Sequence, residues 1–310
     1  MLDEPSKAGK GLSLRMAAGA NPRRELALLG LLAGLWGSSY LLILVALASI
    51  PPVTLIAVRV AVAALLLCAV LWQLRVPLPR ERGIWGALLV QAMLNSILPW
   101  SLLAWGQQHV DSGLAGVLNS TSPVFVFFIT RLLTRHEAVR GLQLAGAVLG
   151  VLGVALIVGP DTLAGIGQKV AAQFAILLSA MLYACAATYG TRHAHLPPVA
   201  TAAGTMIWAT LWLVPMSLLL DSPWALSPSA ASIAAALALA IFSTAGALLL
   251  YFRLVRTLGS MGVASQSYLR AGVSVLLGAI VLGEQIALTT GAGLLSVILG
   301  VAAINARRPA

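Results

Sequence analysis

Apolar runs of about twenty residues, parted by short segments that hold most of the charges and many of the prolines, recur along the chain. Ten such stretches stand out, at 26–48, 54–74, 84–106, 113–133, 141–159, 171–191, 199–220, 230–252, 261–282 and 286–305. At about 1.5 Å rise per residue, each reaches across most or all of a hydrocarbon layer about 30 Å thick. The stretches are apolar all round, whereas a β-barrel would show alternation in segments of about ten residues. Connections are too short for a separate soluble domain. The pattern predicts an all-α membrane protein of ten transmembrane helices.

Composition agrees. Only 9% of residues are charged and 60% are hydrophobic, with a mean hydropathy of +0.96, whereas soluble domains are about a quarter charged. The net charge of +10 does not point to nucleic acid, because no polar domain exists to cluster the basic residues. Their distribution sets an orientation instead. With the N-terminus inside, sixteen of the nineteen Lys and Arg fall in cytoplasmic segments, Lys169 alone lies outside, and Arg59 and Arg270 lie within spans. Ten helices with both termini cytoplasmic satisfy the positive-inside rule. Cys68 and Cys185 sit in apolar stretches and read as reduced, buried thiols. Residues 1–24 are polar and basic without an apolar core, which reads as a disordered cytoplasmic tail and not a signal peptide.

The two halves echo each other at a spacing of about 147 residues. Pro51-Pro52 returns as Pro197-Pro198, Trp36-Gly37 aligns with Tyr183-Ala184, and Thr54 with Thr201. Glu137, Gly146, Gly153, Ala155 and Ile157 match Glu284, Gly293, Gly300, Ala302 and Ile304. Each half holds five stretches, so the second enters the membrane from the opposite side. Such an inverted repeat is typical of secondary transporters, with a site between the halves. The units run over 25–160 and 170–306.

The order of motifs resembles the EamA family of the drug/metabolite transporter (DMT) superfamily. It begins with Trp36-Gly37-Ser38-Ser39-Tyr40, Pro51-Pro52 and Arg59, continues through Ser122-Pro123-Val124-Phe125 and Glu137, and repeats in Leu276-Leu277-Gly278 through Leu282-Gly283-Glu284. The resemblance covers the chain after residue 24. Two positions depart from it: Ala271 stands where the family's ninth helix usually has proline, and the repeat partner of Arg59 is Met206. The resemblance implies a ten-helix exporter of small metabolites, often amino acids, in a bacterial inner membrane, with the aromatic amino acid exporters as the subgroup to compare. A sugar-phosphate or nucleotide-sugar exchanger and a membrane scaffold are the alternatives.

No enzyme constellation, metal-ligand cluster or cofactor motif is visible. The nine acidic residues and four histidines fall in the tail, in loops or at helix ends, where surface ion pairs or solvation are expected. Without a carboxylate or histidine at membrane depth, facilitated uniport fits better than proton antiport. Arg270 is the leading functional candidate, because a guanidinium presents a planar fork of donors suited to a carboxylate. The partners implied are a small carboxylate-bearing substrate and the bilayer. Arg59 reads as an anchor that snorkels to the outer interface. Trp36, Ser39, Tyr40, Asn95, Trp100, Asn119, Tyr183, Trp208, Gln266 and Tyr268 complete an expected pocket, apolar with sparse polar groups. Pro51, Pro123 and Pro197 are expected hinges. The small-residue faces of the fifth and tenth stretches suit close packing, within the bundle or in a homodimer.

Overall fold

A computed structural model describes residues 22–133, 141–158, 168–190, 196–251, 253–254, 266–284 and 287–305. Among these, every regular element is helical. The elements are α1 (Pro22–Leu47), α2 (Pro52–Leu74), α3 (Arg82–Gly106), α4 (Ser112–Asn119), α5 (Ser122–Leu133), α6 (Gly141–Val158), α7 (Gln168–Gly190), α8 (Pro198–Leu220), α9 (Ala230–Tyr251), α10 (Gln266–Leu282) and α11 (Leu288–Asn305). Among the described residues seven apolar helical segments are long enough to cross a membrane, with 112–129, across α4 and α5, counted as one, and shorter apolar helices lie within 144–153, 269–282 and 288–300. Helix α1 begins at Pro22, slightly inside the segment expected to be a disordered tail.

Helices are the default because apolar surroundings leave backbone groups no water to bond. Local chemistry sets their ends. Pro52 and Pro198 occupy the first position of α2 and α8, where a missing N–H costs nothing. Ser229 accepts from Ser232 N at 3.1 Å and caps α9. Gly283, at φ +67°, ends α10 in the left-handed conformation that only glycine adopts without strain. Pro51 and Pro197 thus serve as helix starts. The backbone near Pro123 is different: the fourth stretch breaks between α4 and α5, with the hydroxyls of Ser120 and Thr121 turned back onto Val117 O and Leu118 O.

Corresponding helices of the two halves run in opposite directions. The start of α2 meets the end of α8, where Thr54 N and Oγ1 donate to Asp221 at 2.8 and 2.7 Å. The start of α4 meets the end of α10, where Glu284 accepts from Ser112 N, Ser112 Oγ and Gly113 N at 2.8, 2.7 and 2.8 Å. Asp221 and Glu284 are therefore not solvated loop acids. Each satisfies orphan amides at the N-terminus of a helix from the other half, where the helix dipole favours negative charge. Both contacts lie at one end of the bundle, called the acidic end below. Glu25, in the first turn of α1, is buried and pairs with Arg253 at 3.5 Å.

Close approach at three seams requires glycine. A Cβ at Gly37 would stand 2.6 Å from Val273 of α10 and 3.0 Å from Arg270 O. One at Gly116 of α4 would overlap the Ser274 hydroxyl of α10. Helix α10 is therefore wedged between α1 and α4. The third seam joins α6 to α11, where a Cβ at Gly300 would meet Gly146 O at 2.5 Å and one at Gly153 would meet Gly293 O at 2.7 Å. These small-residue faces pack on each other within the chain. Large apolar side chains such as Leu152 and Leu299 point outward.

Two stability predictions follow from these contacts. Glu284→Ala strands the amides of Ser112 and Gly113 and is expected to cost about 1–3 kcal/mol, read as a lowered thermal midpoint in detergent, with Glu284→Gln losing less. Gly300→Leu pushes a side chain against backbone and is expected to cost at least about 1–3 kcal/mol, whereas Leu299→Ala on the outward face is expected to change the midpoint little.

Candidate functional site

The site begins with backbone irregularity. Helix α3 contains a π turn at Met93–Ile97, and α9 continues through another at Ile241–Gly246. The two turns fall at corresponding positions of the repeat, as do Ser96 and Ser243, both buried. A π turn inserts a residue into the helical ladder and is common at functional sites. Here it frees a hydroxyl for work between the halves. Thr244 donates its single hydroxyl hydrogen to Leu239 O at 2.9 Å, five residues back, so its oxygen is open to accept.

Arg59 takes that acceptor. Its Nε donates to Thr244 Oγ1 at 2.8 Å, joining α2 to α9. Its guanidinium carbon stands 3.8 Å from the centroid of the Trp100 ring, on α3 just past the π turn. A planar cation over an indole face is favourable, more so when desolvated. Arg59 is 4% exposed and lies about 10 Å along α2 from the acidic end. It does not snorkel to an interface, as expected of it above; its polar partners are inside the bundle.

Around Arg59 the aromatic candidates converge. Tyr183, on α7, lies within electrostatic reach of Arg59, Tyr40 and Arg270. Tyr40, from α1, is 2% exposed and accepts on its hydroxyl from Asn119 Nδ2 at 2.7 Å. Gln107 Nε2 donates to Tyr40 O at 2.8 Å, holding the same turn of α1 from the far end of α3. The carbonyl oxygens of Asn119 and Gln107 are buried without a hydrogen-bond partner.

Arg270 enters from α10, about 18 Å along that helix from the acidic end. Its Nε is buried and has no hydrogen-bond partner. Next to it, Ala271 is fully buried, and the backbone carbonyl of Arg270 faces Gly37 of α1. Among the described residues no carboxylate pairs with Arg59 or Arg270. Of the two cations within the spans, Arg59 is buried and Arg270 is partly buried with its Nε enclosed.

Other expected residues have polar or ring contacts of their own. Trp208 packs edge-on against Trp85 at 6.4 Å and donates to Trp85 O at 2.9 Å, tying α8 to the start of α3. Asn95 contacts its neighbour Ser96 at 3.4 Å within the π turn. Ser39 is turned back on Leu35 O at 3.4 Å. Trp36 stacks obliquely with Tyr251 of α9 at 5.6 Å, on the α1 face that α9 covers. The side chains of Gln266 and Tyr268 lie outside the described residues, as do Glu137 and the histidines 136, 193 and 195. Thr244, Gln107 and the depth of Arg59 escaped the reading of the sequence. A signal for the first was present: Ser96 and Ser243 are mid-span polar residues at the repeat spacing, each with a polar neighbour in Asn95 or Thr244 and followed by Pro99 and Gly246.

Comparisons with known proteins bear on the family and the fold. The EamA-like transporter family matches twice, over residues 25–159 and 170–306. The chain is 29% identical over 269 residues to YedA, an inner membrane transporter of Escherichia coli strain K12, covering 85% of this chain and 86% of that protein. It is 27% identical over 301 residues to the transporter YvbV of Bacillus subtilis strain 168, covering 93% of each. A crystal structure 17% identical in sequence superposes with a TM-score of 0.65 over 92% of this chain and 97% of that one, so the fold is shared. The two matched segments, the antiparallel pairing of their helices and the relatives together place the chain: it belongs to the EamA-like transporter family and is a multi-pass protein of the inner membrane.

Proposed function

We propose that the protein is a secondary transporter of ten transmembrane helices, both termini cytoplasmic, that exports a small carboxylate-bearing metabolite by alternating access. The observation that carries this reading is the cluster of Arg59, Trp100, Tyr183, Tyr40, Asn119 and Arg270, drawn from both halves, in which a buried guanidinium nitrogen of Arg270 has no partner. A buried donor left unpaired is costly, and a carboxylate ligand supplies the acceptor it lacks. Amino acids, the class the family resemblance first suggests, are one group of carboxylate-bearing cargo.

With the acidic end outside, the Asp221–Thr54 and Glu284–Ser112 contacts tie helices of opposite halves together on the outer face. Opening outward then requires these hydrogen bonds to part while the backbone near Pro123 and the helix starts at Pro51 and Pro197 bend. Facilitated uniport fits the described interior, whose carboxylates are committed to helix ends or to Arg253. The paired glycine faces of α6 and α11 are used within the chain, so a homodimer along these helices would meet through their outward apolar side chains.

The test is flux in proteoliposomes with a panel of amino acids and carboxylates. At least one member is expected to move down its gradient, and Arg270→Gln is expected to abolish that flux while thermal unfolding stays close to wild type. Unchanged flux in the variant would remove Arg270 from the site. Uphill transport driven by a pH gradient would overturn uniport.

A further inference from the structure

We infer that the cargo of this site is a small organic dianion, held at one end by Arg59 and at the other by Arg270, and not a neutral zwitterionic amino acid. The inference rests on the transporter reading above and names its substrate class.

The charge inventory comes first. Arg59 and Arg270 are uncompensated: no described carboxylate pairs with either. Asp221 and Glu284 are held by the amides of Thr54, Ser112 and Gly113, and Glu25 is held by Arg253. The region between the halves therefore holds Arg59, fully buried, and Arg270, partly buried with its Nε enclosed, and no described carboxylate to pair with them. A dianion neutralises both. A zwitterion leaves them in place and adds an ammonium that meets two guanidinium groups with no carboxylate to receive it.

Donor geometry comes second. Arg59 is pinned at Nε by Thr244 and flat against Trp100, and its Nη hydrogens bond to no described residue. This arrangement orients a fork of donors without neutralising it, which suits an incoming carboxylate or phosphoryl group. Arg270 offers a buried, unpartnered Nε. Counted from the acidic end, Arg59 lies about 10 Å along α2 and Arg270 about 18 Å along α10, so the two cations are staggered along the bundle. Tyr183 interacts with both. A ligand with an anionic group at each end spans that stagger.

Aromatic surface comes third. An ammonium without a carboxylate can rest on an indole face, but Arg59 already covers that of Trp100. The unpaired carbonyl oxygen of Asn119 is a neutral acceptor suited to a hydroxyl. It does not cancel the repulsion that two guanidinium groups exert on an ammonium.

The experiment uses the full-length protein in proteoliposomes with radiolabelled succinate, glycerol 3-phosphate, lactate, leucine and phenylalanine. Succinate or glycerol 3-phosphate is expected to exceed lactate and both amino acids by at least about tenfold, a margin one well-placed charged hydrogen bond can supply. Whichever of the two is carried tells a dicarboxylate from a phosphate monoester. Arg59→Gln is expected to erase the preference for the dianion over lactate. Thr244→Ala, which unpins the guanidinium and keeps its charge, is expected to reduce it. Should Arg59→Gln fail to fold, Arg59→Lys and Thr244→Ala decide the matter, because a merely structural arginine would alter melting and leave the substrate ratio alone. Leucine or phenylalanine carried as fast as the dianions, in a manner dependent on Arg270, would overturn this inference and leave the transporter reading standing. An unchanged ratio in the Arg59 and Thr244 variants would overturn it too, and flux of no panel member would overturn both readings.

Discussion

The Arg59 guanidinium sits inside an apolar bundle and that of Arg270 is partly enclosed by it, neither with a described carboxylate to neutralise it, and much of the architecture answers to that cost. Arginine does not shed its proton readily, so burial has to be met by orientation and polarisation. Arg59 is met by one hydroxyl and one indole face. The hydroxyl is available because α9 departs from α-helical geometry at Ile241–Gly246, where Thr244 reaches back to Leu239. The indole belongs to Trp100, which follows the corresponding π turn of α3. Both irregularities in helix geometry thus stand beside the same cation.

The repeat divides the work between symmetric backbone and asymmetric side chains. Proline starts, π turns and antiparallel helix pairs occur in both halves at matching positions. That is the backbone equipment for two related conformations of opposite sidedness. The side chains break the symmetry. Arg59 faces a repeat partner, Met206, that is an apolar core residue, and Thr244 corresponds to Ile97. Arg270 corresponds to Pro123, beside the broken backbone between α4 and α5. A symmetric frame permits exchange between states, while unequal side chains give a cavity one polarity and one binding chemistry. Glycine completes the frame by letting α10 lie close to both α1 and α4, which brings Arg270 to the seam.

The bundle is also fastened unevenly. At the acidic end Asp221 takes up the Thr54 amide in the first turn of α2, and Glu284 the first two amides of α4, each from the opposite half. These are bonds between rigid elements, so they hold whole helices in register and not merely loops. At the other end the described ion pair, Glu25 with Arg253, joins α1 to the residues that follow α9.

The residue pattern alone carried the class, the positions of the apolar stretches, the repeat and the family. It did so because membrane crossing demands long runs without charge, and because duplicated prolines and glycines keep their spacing. Tyr40, Asn119, Trp100, Tyr183 and Arg270 were also legible as a group, since polar and aromatic residues are conspicuous in apolar runs. Which way each side chain turns depended on packing between helices. A helix apolar on every face carries no periodicity to mark its inner side, so Arg59 read as an outer-interface anchor and Trp208 as a ligand. Contacts across about 170 residues of chain, such as Thr54 with Asp221 and Ser112 with Glu284, leave no local trace. Nor does the ladder slip of a π turn, which depends on the partner helix that makes use of the freed group.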